Sequence, residues 1–165
     1  MTKAPLCGAG TGANLTDRGK KGTKRIVLTD GKGIPLSAVV DGANRHDKKF
    51  VKRTLDTMFF ERPSPEDIIQ NIQNICMDKG YDFTDIRKLV EDYGYTTHIK
   101  SRGEENIRRG IPDFKARRWV VERIHSWLNR FRRLLIRWEK KIENYLAMLH
   151  LACTSITFRS AGLFG

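Results

Sequence analysis

Asn74-Ile75-Cys76-Met77-Asp78-Lys79-Gly80-Tyr81-Asp82 is the stretch from which the fold is read. Four residues of β character run into a carboxylate and a short Lys-Gly loop. From Asp82 to Tyr93 the spacing becomes helical, with Phe83, Ile86, Leu89 and Val90 recurring on one face. Tyr95 to Ile99 returns to β character. Strand, loop, helix, strand predicts an α/β domain with a mixed sheet. A strand that ends on Asp78 either uses the charge chemically or caps the next helix, and the pattern alone leaves both readings open.

On the amino side, Lys24 to Thr29 and Ile34 to Val40 are β-rich runs around Asp30-Gly31-Lys32-Gly33, which predicts a hairpin. Pro35 removes one amide donor, a loss best tolerated at a strand start or a sheet edge. Before the hairpin, Cys7 to Thr23 is rich in Gly, Thr and Asn without a sustained period and reads as loop. After it, Phe50, Val51, Leu55, Met58 and Phe59 line one face of a helix expected over Asp47 to Phe60 and ended by Arg62-Pro63-Ser64-Pro65.

On the carboxy side, Lys100 to Gly110 reads as an exposed loop. Val120, Ile124, Trp127, Leu128, Phe131, Leu134, Leu135 and Trp138 then recur every three or four positions, predicting one long helix from Asp113 to about Trp138. Its opposite side carries Lys115, Arg118, Glu122, His125, Asn129 and Arg133. Ile142 to Phe158 is expected to pack as a further core helix. There is no internal repeat or linker, so residues 1–165 read as a single domain.

Composition narrows the function. A compact chain of this length buries roughly 70% of the surface that its unfolded form exposes, enough for one core. Its longest apolar stretch, Tyr145 to Ile156, is too short to span a bilayer. The first residues lack the apolar run of a secretory signal, so Cys7, Cys76 and Cys153 are expected as free thiols in a reducing, cytoplasmic setting. Lys and Arg exceed Asp and Glu by 31 to 19, a net charge of +12, which points to a polyanionic partner, with nucleic acid foremost.

Glu122 lies on a basic helical face four residues after Arg118. Such a pair is usually a solvated ion pair contributing only ~0.3 to 0.5 kcal/mol. Against that reading stands the crowding of Lys115, Arg118, Arg123, Arg130, Arg132, Arg133 and Arg137, which a phosphate-binding surface needs and a core does not. Trp127, Phe131 and Trp138 lie on the apolar side and are assigned to packing. His46, His98, His125 and His150 lack metal-ligand spacing with the cysteines, which argues against structural zinc.

Taken in order, several strings resemble the insertion-sequence DDE transposases. They are residues 11–24 (TGANLTDRGKKGTK), Gly42-Ala43-Asn44-Arg45-His46-Asp47, Asp78-Lys79-Gly80-Tyr81-Asp82, Trp119-Val120-Val121-Glu122-Arg123, Trp127 to Leu134 and His150-Leu151-Ala152. The resemblance implies an RNase H-like catalytic core whose second and third metal-binding acids are Asp78 and Glu122. Arg118 resembles the family's DNA-contacting arginine, and Asn129 stands where some relatives carry Lys. With Lys115, Arg130, Arg132 and Arg133, these form the expected DNA-binding set.

In that family the first acid lies on the first strand, in an Asp-Gly string ahead of the segment matching Lys3-Ala4-Pro5. The resemblance therefore implies an amino-terminally truncated or second-frame chain, with the first carboxylate and most of the first strand upstream. The implied cofactor is Mg²⁺ (or Mn²⁺) in a two-metal site, whose ions lie roughly 3.5 to 4 Å apart and need a third carboxylate. The implied activity is cleavage of double-stranded DNA at transposon ends and strand transfer to a target, with this chain inactive alone. The alternative is a non-catalytic DNA-binding regulator or remnant. Implied partners are transposon-end and target DNA, further copies of the chain in a synaptic complex and an upstream-frame product, in a bacterial cytoplasm at the nucleoid.

Overall fold

The computed structural model describes residues 1–58, 64, 73–99 and 118–162, residue 118 by its backbone alone. Its backbone is mixed α/β, with strands β1 (Thr2–Lys3), β2 (Gly12–Ala13), β3 (Lys21–Thr29), β4 (Pro35–Gly42), β5 (Asn74–Met77) and β6 (Thr96–Ile99). The α-helices are α1 (Val51–Asp56), α2 (Thr84–Asp92), α3 (Arg118–Asn129), α4 (Arg132–Leu135) and α5 (Ile142–Ser160).

The expected hairpin is β3 and β4, antiparallel from Thr23 against Gly42 to Thr29 against Pro35. Its turn is closed by Asp30, whose Oδ1 accepts the amides of Lys32 and Ile34, each at 2.8 Å. Pro35 opens β4, where its missing donor costs least. Because β4 is buried on both faces, its residues from Ser37 to Val40 form a continuous buried run. Ala38 and Val40 join the core made with Ile124 and Leu128 of α3, Leu134 of α4 and Tyr145, Leu149, Ala152, Cys153 and Ile156 of α5. On the other face, Ser37 and Thr57 share a 2.8 Å hydroxyl contact just past α1.

A second core gathers Val51 and Leu55 of α1, Ile75 of β5, Ile86 and Val90 of α2, and Tyr93 and Tyr95. Leu28 of β3 packs against it. Here β5 and β6 form a separate parallel pair, Asn74 opposite Thr96 through Met77 opposite Ile99. The strand-helix-strand order read from Asn74 to Ile99 is thus present, with α2 as the crossover.

The edge of β3 away from β4 is the unusual feature. There β1 pairs only with Gly22 and Thr23, so among the described residues no strand covers that edge from Lys24 to Thr29. The free side of β5 is likewise unpaired among the described residues, and Ile75 of β5 and Leu28 of β3 border the same core.

Four expectations change. The long helix to Trp138 ends at Asn129, resumes for one turn in α4, and gives way to extended backbone at Ile136, whose φ is −131° and ψ 126°. The reason is tertiary: Ile136 bridges Lys3, and the Arg137 amide donates to the Lys3 carbonyl at 2.8 Å, a pairing that helix cannot make. Trp138, assigned to the core, is therefore 49% exposed, whereas Trp127 and Phe131 do pack against it. Third, Cys7 to Thr23 is not all loop, since it holds β2, a 3-10 turn over Leu15–Asp17 and the start of β3. The helix expected over Asp47 to Phe60 is a 3-10 turn, Asp47–Phe50, running into α1, and Phe59 and Phe60 lie outside the described residues. So does the expected loop at Lys100 to Gly110.

Candidate functional site

Asp78 follows the last residue of β5 with extended backbone, φ −71° and ψ 160°. Its Oδ1 accepts the Lys79 amide at 2.8 Å, so it caps the 3-10 turn Lys79–Tyr81. Both sequence readings of Asp78 thus begin from the same geometry: one oxygen engages the turn and the exposed carboxylate remains open to a ligand. Beside it, burial pushes the Tyr81 phenol well above its ordinary range, and the carboxylates of Asp47 and Asp78 add to the shift. Asp47 is itself held by Lys24 at 2.7 Å.

Glu122 sits in the second turn of α3, exposed, with no hydrogen bond or ion pair to a described side chain. Helix α3 is fixed by Val120, Ile124 and Leu128, all buried, and by Arg123, whose Nη1 donates to the Lys32 carbonyl at the hairpin turn at 3.2 Å. Gly33 at φ +89° completes that close approach, with Arg123 and Val120 in van der Waals range of any Cβ placed there. Among the described residues, no three His, Cys, Asp or Glu side chains converge as a metal-binding group.

The expected DNA-binding residues separate into distinct environments. Lys115 lies outside the described residues, and Arg118 opens α3. Asn129 accepts from Arg25 Nη2 at 3.0 Å. Arg132 is exposed without a described partner, whereas Arg133 is tied to Glu139 at 2.7 Å. Arg137, counted with the basic cluster, is instead buried, each of its nitrogens donating to the protein itself.

Two features were not anticipated. The Arg123 guanidinium lies between indoles, 4.5 Å from the Trp119 ring centre and 5.4 Å from that of Trp127, a cation–π ladder at i, i+4 and i+8. The spacing is visible in the sequence, but a tryptophan on an apolar stripe is indistinguishable from core packing until its exposure is known. Beyond Trp127 opens a cleft of about 370 Å³ lined by Trp127, Arg130, Phe131, Ile156, Arg159 and Ser160.

His125, on the flank of α3 next to the Glu122 face, is half-buried. Burial lowers its pKa, and Arg25 and the terminal amine lower it further. No described helix is long and apolar enough to cross a membrane.

Comparison with known proteins gives the family. The transposase DDE domain family matches residues 2–156, a span that includes Asp78 and Glu122. The chain is 35% identical over 150 residues to the Burkholderia cepacia protein named "Putative transposase for insertion sequence element IS402", covering 91% of this chain and 69% of that protein. No solved structure matches. The mixed α/β architecture is consistent with the RNase H-like fold of such domains, and the chain belongs to the insertion-sequence DDE transposases.

Proposed function

We propose that this chain supplies two of the three carboxylates of a DNA phosphoryl-transfer site, Asp78 and Glu122, and the cationic surface that holds the DNA backbone. The observation that carries the reading is that both carboxylates, within the matched family span, stay exposed and free of ion pairs with described side chains in a protein of net charge +12. Arg118, Arg130 and Arg132 position phosphates without reading sequence, and Lys115 and Asn129 extend that surface.

The donor set fits a divalent cation in kind and falls short in number. Carboxylate oxygens suit Mg²⁺ or Mn²⁺, but a two-ion site needs shared carboxylates, and among the described residues no three acids or other ligands gather to provide them. The edge of β3 that no described strand covers supports a specific completion: a strand paired antiparallel to Lys24–Thr29 would enter on the side where Leu28 meets Ile75 of β5, and an acid on it would complete the triad. An upstream segment of the same polypeptide or an upstream-frame product would supply it. Cleavage of transposon ends, joining to target DNA and assembly of copies in a synaptic complex follow as the reaction of the completed protein in a bacterial nucleoid.

The test is a nicking and joining assay on duplex DNA with Mg²⁺. Residues 1–165 alone are expected to be inactive. The same chain lengthened at its amino end by a strand bearing Asp-Gly should gain activity that Asp78→Asn or Glu122→Gln abolishes. Nicking by residues 1–165 that is lost in Asp78→Ala would refute the need for a third acid. An inactive lengthened chain that still binds DNA would leave a non-catalytic regulator as the function.

A further inference from the structure

We propose that the cleft between the carboxy-terminal ends of α3 and α5 binds an unpaired nucleotide of a DNA strand, its base against Trp127 and Phe131 and its phosphates at Arg130 and Arg159. The inference rests on the reading of the chain as a DNA-binding protein and adds the form of DNA that it prefers.

The cleft has the size and chemistry for that ligand. Its volume, about 370 Å³, falls within the range of small-molecule sites. Trp127 and Phe131 are half-buried, packed on one side against the core that contains Ile156. Their other surfaces line the cleft, giving two aromatic walls over an apolar floor. At the rim stand Arg130 and Arg159, both exposed, and neither guanidinium has an acceptor among the described residues. An aromatic slot edged by two cations without acceptors among the described residues suits a planar base with its flanking phosphates better than it suits an apolar side chain, which would leave both cations unanswered.

The position of the cleft sets it apart from Glu122. Along α3 at about 100° per residue, Trp127 points roughly 140° away from Glu122. The cleft lies instead beyond Trp127, at the end of the ladder of Trp119, Arg123 and Trp127, where its own aromatic walls and rim cations offer a single strand a base slot beside phosphate contacts. In a paired duplex the bases are stacked on one another and cannot enter the slot.

The experiment compares a blunt duplex with the same duplex carrying a three-nucleotide unpaired end that contains 2-aminopurine, using purified residues 1–165. The expected result is roughly tenfold tighter binding of the unpaired end. Quenching of 2-aminopurine on binding should accompany it. Arg159→Gln should remove the preference while blunt-duplex binding stays as it was, and Arg159→Lys should keep part of it. Equal affinity for the two DNAs, or a preference unchanged in Arg159→Gln, would overturn the proposal. If neither DNA binds, the DNA-binding reading itself fails, an outcome distinct from failure of the cleft.

Discussion

The Nη1 of Arg137 lies 2.8 Å from the Oγ1 of Thr23, and both residues are sealed from solvent, at 1% and 0% exposure. The same guanidinium donates from Nε to the Glu139 carbonyl at 2.9 Å, from Nη1 to Gly10 at 3.1 Å, and from Nη2 to Ala9 and Lys140. All five of its N–H groups have acceptors, which is what allows a cation to be buried among carbonyls. Gly8, at φ +109°, lets the loop close over it, since a Cβ there would run into the Lys140 carbonyl. Arg137 thus joins the amino-terminal loop, β3 and the segment before α5.

Replacing Arg137 should destabilise the fold. Arg137→Ala leaves several buried carbonyls unanswered and opens a cavity, together costing about 3 kcal/mol or more. In a chain of this size that lowers Tm by roughly 6 to 12 °C. Arg137→Lys keeps the charge but cannot match the fork, so it should recover only part of the loss. Thermal unfolding checks both, and a change within about 0.5 kcal/mol, the range of ordinary surface substitutions, would contradict the assignment.

The thiols should react in two classes. Cys7 and Cys76 are exposed, whereas Cys153 is buried on α5, and burial pushes its pKa up to about 11. The thiolate is the reactive form, so at pH 8 Cys153 is protected both by pKa and by access. Titration with a disulfide reagent should therefore show two thiols reacting promptly in the native protein and the third only on unfolding in urea. Three equally fast thiols would contradict the packing of α5.

His125 should make stability fall with acid. Its folded pKa is lowered, chiefly by burial and also by Arg25, so the native state binds its proton less readily than the unfolded chain. Its neutral contribution is complete above the ordinary value of 6.5 and is lost as pH falls from there toward the folded pKa. Urea midpoints measured at pH 7.5 and pH 5 should converge more in His125→Gln than in the parent. An identical pH response in the two proteins would rule out this linkage.

Much of the fold was legible because local chemistry and tertiary demand agree. The turn at Asp30 to Gly33, the β-rich runs on either side of it and the strand-helix-strand order from β5 through α2 to β6 all follow from spacing and turn residues. The break after Asn129 was not legible, since the apolar period from Val120 to Trp138 runs straight through it. The turn to extended backbone at Ile136, further along the same run, is imposed by Lys3, far away in the chain, which pairs with Ile136 and Arg137. For the same reason Arg137 could not be told from Arg132 and Arg133: three arginines in one basic run face a carbonyl cage, solvent and a carboxylate. Asp78 and Glu122 were singled out by their motifs, because neither strand-end position nor helical face separates a ligand from a cap or a solvated acid.

Two of those arginines, Arg132 and Arg133, also give a graded test of DNA binding. Each phosphate contact contributes roughly −0.9 to the slope of log K against log salt on duplex DNA. Arg132 is exposed and uncommitted among the described residues, so Arg132→Gln should flatten the slope by about 0.9 with little effect on stability. Arg133 already serves Glu139, whose side chain is only 8% exposed and whose Oε2 is buried without a partner among the described residues. Arg133→Gln should therefore change the slope by less, and instead cost about 1 kcal/mol or less of stability, a modest figure because Arg133 is itself mostly exposed. Binding isotherms from 50 to 200 mM salt, read beside urea melts, separate the two substitutions. An Arg133 effect on slope as large as that of Arg132 would mean that DNA draws Arg133 away from Glu139, and the two residues would then belong to one phosphate-binding surface.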